Sequence, residues 1–520
     1  MYLEAPEQMF VHEDKVNNSM RKSFRDIMYY IPALLFPALI NVISITMYTR
    51  FFSPSVYGTY SLVISTTSIL VSVCTQWIQQ SVQRFRPGYT EGDMAEFNIN
   101  YVFLNGCIIF CVGCLGITLT IVSDIFPGIG LSDRWTIIGT LVVLSNFLFL
   151  NIAVLFQSDL RSKEFAKYNV WNSILKLTIT LGLLIGLSMN MIYVFVGTII
   201  SQLLSIIPMI SKVRILSDIR RATFSVTSFK SFCRQFIGYG FPMTGWFLAT
   251  SVMMLGDRYI LEIFKGNYQV GIYSANLLIV STGLGLVTAP VISAAHPVIL
   301  REASKQDLNP VQFQQIVLKY SKYYISLAIP IAIIVTLFAK QLSEILLNVK
   351  YHQGYIVIPI ALFGTLIWNF ALYGHKGFEV LSKTKLMLVF VGISALVNVI
   401  LNIFAIPRWG YIGSAVVSSI SFSVYPLLVY VFSLKYIRWI IPWGWITRIL
   451  VISLISAVIP AAISVMVSNP YISVLFGALL YLALFLILFA VVNKVSLVEL
   501  FGQSLTTIRK RSVKSDIGGQ

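Results

Sequence analysis

Tyr48-Thr49-Arg50-Phe51-Phe52-Ser53-Pro54 closes one apolar run, and Tyr57-Gly58-Thr59-Tyr60-Ser61 opens the next after a short turn. About 213 residues later the same order returns. Asp257-Arg258-Tyr259-Ile260-Leu261 lies near the end of a run, and Val270-Gly271-Ile272-Tyr273-Ser274 opens its successor. Both stretches read as helix, arginine, short outer turn, Gly-x-Tyr-Ser, helix. A repeat of this kind predicts two similar lobes with the same orientation in a membrane, related by an axis along its normal.

Composition supports the membrane. Of 520 residues, 57% are hydrophobic and 11% charged, with a mean hydropathy of +0.80. That leaves too little polar surface to cover a soluble globule of this size. About fourteen apolar runs of about 20 residues recur, the first near 27–49 and the last near 472–492, each able to cross a hydrocarbon core roughly 30 Å thick. Barrel strands would alternate polar and apolar residues, whereas these runs are continuous. The expected fold is an all-α integral membrane protein of about 14 transmembrane helices, with two pseudo-symmetric six-helix lobes plus two carboxyl-terminal helices.

The expected organisation is a cytoplasmic amino-terminal segment (1–26), an N-lobe (27–212), a cytoplasmic inter-lobe linker (213–236), a C-lobe (237–434), two further spans (435–492) and a cytoplasmic basic tail (493–520). Glu4, Glu7, Glu13 and Asp14 precede the first basic residues, and no short apolar core with a cleavage site follows, so the amino terminus does not read as a signal peptide.

With the amino terminus inside and the spans alternating, roughly 30 of the 38 Lys and Arg fall on the inner side. They include Lys15, Arg21, Arg84, Arg86, Arg161, Lys163, Lys212, Lys230, Arg234, Arg509 and Lys514. Both termini are therefore expected in the cytoplasm. The formal net charge of +17 follows from this topology and from anionic lipid at the inner face, and gives no ground for nucleic acid as a partner. Membrane lipids are the partners this charge implies.

Three segments together resemble the polysaccharide-transporter branch of the multidrug/oligosaccharidyl-lipid/polysaccharide exporter superfamily. They are Thr49 to Gly58, Asp257 to Tyr273, and a third set. The third comprises Ser382-Lys383-Thr384-Lys385, Asn398-x-x-x-Asn402, Ile406-Pro407-Arg408-Trp409-Gly410 and Ile412-Gly413-Ser414-Ala415. It is similar to that branch's Gly-Lys-Thr-Lys, Asn-x-x-x-Asn, Ile-Pro-x-x-Gly and Ile-Gly-Ala-Ala, with Ser382 and Ser414 as departures. The resemblance spans about residues 25 to 435. It implies a flippase in the bacterial inner membrane, moving undecaprenyl-diphosphate-linked oligosaccharide to the outer leaflet for O-antigen, capsule or exopolysaccharide. It also implies a polysaccharide polymerase and a chain-length regulator as partners.

A flippase needs a polar cleft, because every sugar hydroxyl buried in hydrocarbon would lose its water. The diphosphate needs cations there, and an Arg or Lys at a helix centre costs about 2.5–3.5 kcal/mol on insertion scales. Four residues are candidates for a cationic cleft. Arg50 and Arg258 lie near the outer ends of equivalent helices, where anchoring at the interface beside Tyr48 and Tyr259 is the competing reading. Arg84 follows a Gln-rich turn at the inner end of the second span, where it reads as an inner gate or as ordinary flanking charge; His296 to Arg301 is its counterpart in the repeat. Lys176 stands about seven residues into the fifth span, roughly 10 Å deep at 1.5 Å per residue, where it faces the cleft or snorkels.

Asp257 is the clearest intramembrane acid and a candidate for ion coupling, the alternative being a partner on another helix or a structural cap. Asn398 and Asn402 share one helix face, for which hydrogen bonding between helices is the default. Cys107, Cys111 and Cys114 also share a face, with no His or carboxylate beside them, and read as apolar packing rather than as a metal site. No cofactor is expected.

Two other functions compete. A cation-coupled exporter of drugs or small molecules in the same superfamily would favour a more acidic cleft. A membrane enzyme of glycan assembly would need a large outer loop carrying catalytic residues, and the expected outer loops are short.

Overall fold

The computed structural model describes residues 36–90, 93–125, 133–213, 215, 217, 223–303 and 309–493. The expected amino-terminal segment and the tail after Asn493 lie outside the described residues. Continuous apolar sequence in lipid must satisfy its backbone internally, and helices do so. They run in order as α1 (36–51), α2 (Pro54–Phe85), α3 (Met94–Ile125), α4 (Asp133–Ser158), α5 (Ser162–Gly186) and α6 (Ile192–Val213). There follow α7 (Val226–Leu255), α8 (Asp257–Ala303), α9 (Pro310–Leu337), α10 (Ala339–Leu346), α11 (Val357–Gly374), the short α12 (Lys376–Val380), α13 (Thr384–Ser433), α14 (Trp443–Met466) and α15 (Pro470–Asn493).

Fourteen spans result among the described residues. Eleven stretches are long and apolar enough to cross a membrane, two of them hold two spans each, and α1 supplies the first. The doubled stretches bend back at Gly266 (φ 77°) and Gly410 (φ 55°), left-handed conformations that glycine adopts at little cost. The seventh span is thus α7 continued through the first residues of α8, and the eighth begins after Gly266.

Helix α7 starts inside the stretch expected to link the lobes. Phe229, Phe232, Cys233 and Phe236 recur at helical spacing there, opposite Lys230, Arg234 and Gln235. The apolar stripe seats itself in the N-lobe, where Phe232 and Phe236 join a core with Ile78, Val82, Phe97 and Phe156. A second core runs through the C-lobe and the junction between lobes, with Tyr57, Tyr273, Tyr324, Tyr351 and Tyr425 in it. Helices α14 and α15 pack on each other and on the C-lobe flank at α9 and α10.

The lobes meet along α2, which packs against both α7 and α8. Near the start of α2 the two Gly-x-Tyr-Ser segments face each other, and Ser61 Oγ donates to Ser274 Oγ at 2.7 Å. A Cβ on Gly58 would stand 1.9 Å from the Asn267 carbonyl oxygen, and one on Gly271 would stand 1.9 Å from that of Pro54. Ser61 and Ser274 are 213 positions apart, as are Gly58 and Gly271 and also Pro54 and Asn267, so the two glycine contacts are reciprocal and a pseudo-twofold axis passes between the glycines. Near the other end of α2, Ser81 Oγ donates to the Phe236 carbonyl at 3.0 Å. A Cβ on Gly240 there would lie 2.1 Å from the Trp77 carbonyl oxygen.

Candidate functional site

Arg258 lies in the seventh span, just after its helix passes Gly256, and reaches across the lobe boundary. Its Nη1 donates to Ser65 Oγ on α2 at 2.7 Å, and the next residue links the same helix through Tyr259 Oη and Thr66 Oγ1, 2.7 Å apart. One donor is spent on a neutral hydroxyl. Arg258 Nε is buried with no partner among the described residues, so the guanidinium retains capacity for an anion.

Arg50 ends α1 with its side chain exposed, and among the described residues it makes no bond to Arg258. Arg84 is exposed at the other end of α2, its guanidinium 4.6 Å from the centre of the Tyr239 ring of α7. It therefore stands at the seam between the lobes.

Lys176 sits deeper in its helix than the sequence implied. Helix α5 begins at Ser162, well before the expected span, because Phe165, Ala166 and Tyr168 supply an apolar face among the polar residues of its first turns. Lys176 is consequently near the middle of the helix, about 21 Å along from Ser162 at 1.5 Å per residue. It is half-buried and has no hydrogen-bond or ion-pair partner among the described residues. Asn172 and Thr180 flank it one turn away on the same face. Asn172 Oδ1 and Gln202 Oε1 of the same lobe are buried without partners among the described residues, and the Thr180 hydroxyl lies against that of Tyr48. Asn172, Thr180 and Gln202 were not singled out from sequence; the i, i+4, i+8 spacing of Asn172, Lys176 and Thr180 was the available signal.

Asp257 is 1% exposed. Tyr273 Oη donates to its Oδ2 at 2.5 Å, Ser418 Oγ at 3.1 Å and Ser414 Oγ at 3.3 Å. Asn398 Nδ2 donates to Ser418 Oγ at 3.4 Å, and Asn402 Nδ2 to Asn398 Oδ1 at 3.0 Å. Asp257 thus has partners on two other spans, and its Oδ1 remains buried and unpaired among the described residues. One carboxylate held by three hydroxyls is a set that takes a proton or a hard cation, since such cations prefer oxygen ligands. No grouping of three His, Cys, Asp or Glu suited to a metal occurs among the described residues, and Cys107, Cys111 and Cys114 are exposed.

Two ion clusters tie helix ends on the side where the basic loops gather. In the N-lobe Arg86, 3% exposed, holds Asp159 with Nε–Oδ1 at 2.7 Å and Nη2–Oδ2 at 3.1 Å, and donates to Asn98 Oδ1 at 2.9 Å. In the C-lobe Lys376 Nζ lies 2.7 Å from His296 Nδ1 and 2.5 Å from Glu379 Oε2, while His375 Nδ1 lies 2.9 Å from Tyr425 Oη. Each cluster fastens the end of a lobe's second span to the end of its fourth.

This arrangement has relatives. The sequence matches the family described as polysaccharide biosynthesis protein over residues 23–303. No curated protein matches it. Among solved structures, the lipid II flippase MurJ in an inward closed conformation superposes with a TM-score of 0.72 at 15% identity, over 90% of this chain and 99% of that one. An inward-facing multidrug resistance MATE transporter of the MOP superfamily gives a TM-score of 0.59 at 13% identity, over 78% of this chain and 97% of that one. A MOP superfamily transporter from Pyrococcus furiosus gives 0.55 at 10% identity, over 79% and 95%. These likenesses establish the fold: a two-lobed, multi-pass helical architecture.

Proposed function

The chain belongs to the polysaccharide biosynthesis protein family, and from that premise we propose that it is a flippase for undecaprenyl-diphosphate-linked oligosaccharide. Cargo passes from the cytoplasmic to the outer leaflet of the bacterial inner membrane, serving O-antigen, capsule or exopolysaccharide synthesis. Both termini are cytoplasmic in this reading, so Arg84 is at the entry and Arg258 nearer the exit.

The observation that carries the proposal is Arg258, a cation at the lobe junction with a buried donor unspent. Membrane insertion charges about 2.5–3.5 kcal/mol for such a residue at a helix centre, and a diphosphate is the ligand that repays it through charge-assisted hydrogen bonds. Arg84 receives the diphosphate, and Lys176 with Asn172 and Thr180 offers a polar face at mid-depth for the passage. Arg50, exposed at the outer end of α1, meets it on release.

Transport requires each end of the lobe junction to part in turn. The contacts at Gly58–Gly271 and at Gly240–Trp77 are the outer and inner closures in this scheme, and both depend on backbones that touch without side chains between them. Asp257 is the site for a coupling proton or sodium ion. Substitution Asp257→Asn keeps the hydrogen-bonding shape but removes the charge, and export then loses its response to the ion gradient.

The deciding experiment is deletion of the gene followed by lipid analysis. Accumulation of one diphosphate-linked oligosaccharide on the inner leaflet, with complementation by wild type but not by an expressed Arg258→Ala variant, is the expected result. Normal surface polysaccharide in the Arg258→Ala strain refutes the role of that residue. Unchanged lipids with new drug sensitivity point instead to the small-molecule exporter, and enzymatic elongation of the lipid-linked glycan by purified protein to an enzyme. Copurification tests association with a polymerase and a chain-length regulator.

A further inference from the structure

A pocket of about 650 Å³ opens between the end of α2, the start of α3 and the start of α7, within the roughly 300–1,000 Å³ of small-molecule sites. Its chemistry is unlike that of the lobe junction. Asn100, 2% exposed, lines it and donates through Nδ2 to Ser228 Oγ at 2.9 Å. Ser228 in turn donates to Glu96 Oε1. Asn100 Oδ1 is buried without a partner among the described residues, so the lining keeps an acceptor that asks for a donor from a ligand. Asp93 and Glu96 add carboxylate acceptors, and Phe85, Tyr89 and Phe232 add aromatic walls.

The balance of charge decides the ligand class. Two carboxylates against one arginine repel a phosphate, and an anionic lipid headgroup is disfavoured for the same reason. A neutral polyol suits the lining: its hydroxyls donate to Glu96, Asp93 and Asn100 Oδ1, while the apolar faces of its pyranose rings lie against the aromatic rings. Arg84 forms the edge of the pocket nearest Tyr239 of α7. A diphosphate held by Arg84 would therefore leave the attached glycan next to the pocket mouth.

We propose that this pocket binds carbohydrate, and that it holds the sugar of the cargo at the entry side before translocation. The assignment to cargo rests on the flippase reading; the assignment to carbohydrate rests on the lining alone. Phosphate-free oligosaccharide released by mild acid from the strain's surface polysaccharide is the probe, added to full-length protein in phosphatidylcholine nanodiscs and read by saturation-transfer NMR. The expected result is a signal with wild type that falls about tenfold in affinity with Glu96→Gln or Tyr89→Ala, as for loss of one charged hydrogen bond or one stacking face. Gln235→Ala, on the exposed rim of α7, weakens it less.

Geranylgeranyl diphosphate, which carries no sugar, is the control, and none of the three substitutions weakens its binding. Equal oligosaccharide signals from wild type and variants, or a signal that depends on an added divalent cation, overturn the proposal. Displacement of the probe by lipid-linked oligosaccharide extracted from the deletion strain identifies cargo as the source of the sugar; binding without displacement identifies a free cytoplasmic glycan. If the deletion strain accumulates lipid-linked oligosaccharide yet the probe does not bind, the pocket assignment fails and the flippase reading stands. Binding of the probe without lipid accumulation reverses that outcome.

Discussion

Arg86 and Arg84 look alike in the sequence, two basic residues flanking the end of one span, and the structure separates them. Arg86 is buried on Asp159, 73 positions away, while Arg84 is exposed at the seam between lobes. Charge flanking a helix is legible from sequence; which flanking charge finds a carboxylate is not, because the partner arrives through packing of α4. The distinction predicts different failures. Arg86→Ala strands Asp159, whose side chain keeps 26% exposure, so the loss sits at the lower end of the range for a broken buried pair, about 3 kcal/mol. Thermal unfolding in detergent should show it, and Arg86→Met combined with Asp159→Leu should recover most of the loss. Arg84→Ala should leave the unfolding curve unchanged and reduce export. A second example is Asp257, whose burial and carboxylate were legible, whereas Tyr273, Ser414 and Ser418 became its donors only once three spans converged.

At the scale of elements, the repeated Gly-x-Tyr-Ser was readable as a helix boundary. Its role as the contact between lobes was not, since nothing in a linear pattern says that the two copies touch. Physically the two facts are linked: helices that approach until Gly58 and Gly271 meet need both positions free of Cβ. The serine oxygens at 2.7 Å make the contact testable. Ser61→Cys with Ser274→Cys should be joined by mercuric ion or oxidation and should arrest export until reductant is added, if parting of this contact is part of the cycle. Adding Gly271→Ala places a methyl 1.9 Å from the Pro54 carbonyl oxygen, so the helices must separate and the cross-linking yield should fall severalfold. Undiminished export by the cross-linked protein would show that the outer contact does not open. Helix α7 begins inside the stretch expected as a linker for a related reason: its first apolar stripe is short, alternates with charges, and finds its place only through the N-lobe core that receives it.

For the whole molecule, the number of helices and the two-lobed plan were legible because lipid imposes one rule on every span, that its backbone be satisfied internally. The cleft was legible only as a set of cations, since lining depends on rotation of each helix about its axis. Orientation lies between these cases: it comes from a charge count summed over all loops, and the structure supplies sites at which to test it. Lys163 begins α5 on the basic side, and Lys350 is exposed beside Tyr351, whose hydroxyl donates to the Phe52 carbonyl at 2.9 Å at the opposite end of the bundle. The native thiols Cys107, Cys111 and Cys114 are exposed, so all five cysteines must first be replaced. In that background Lys350→Cys should react with an impermeant maleimide in intact cells after the outer membrane is made porous. Lys163→Cys should react only once the inner membrane is opened. The reverse pattern would turn the molecule over, place Arg84 and its pocket on the outer face, and remove the entry role assigned to both.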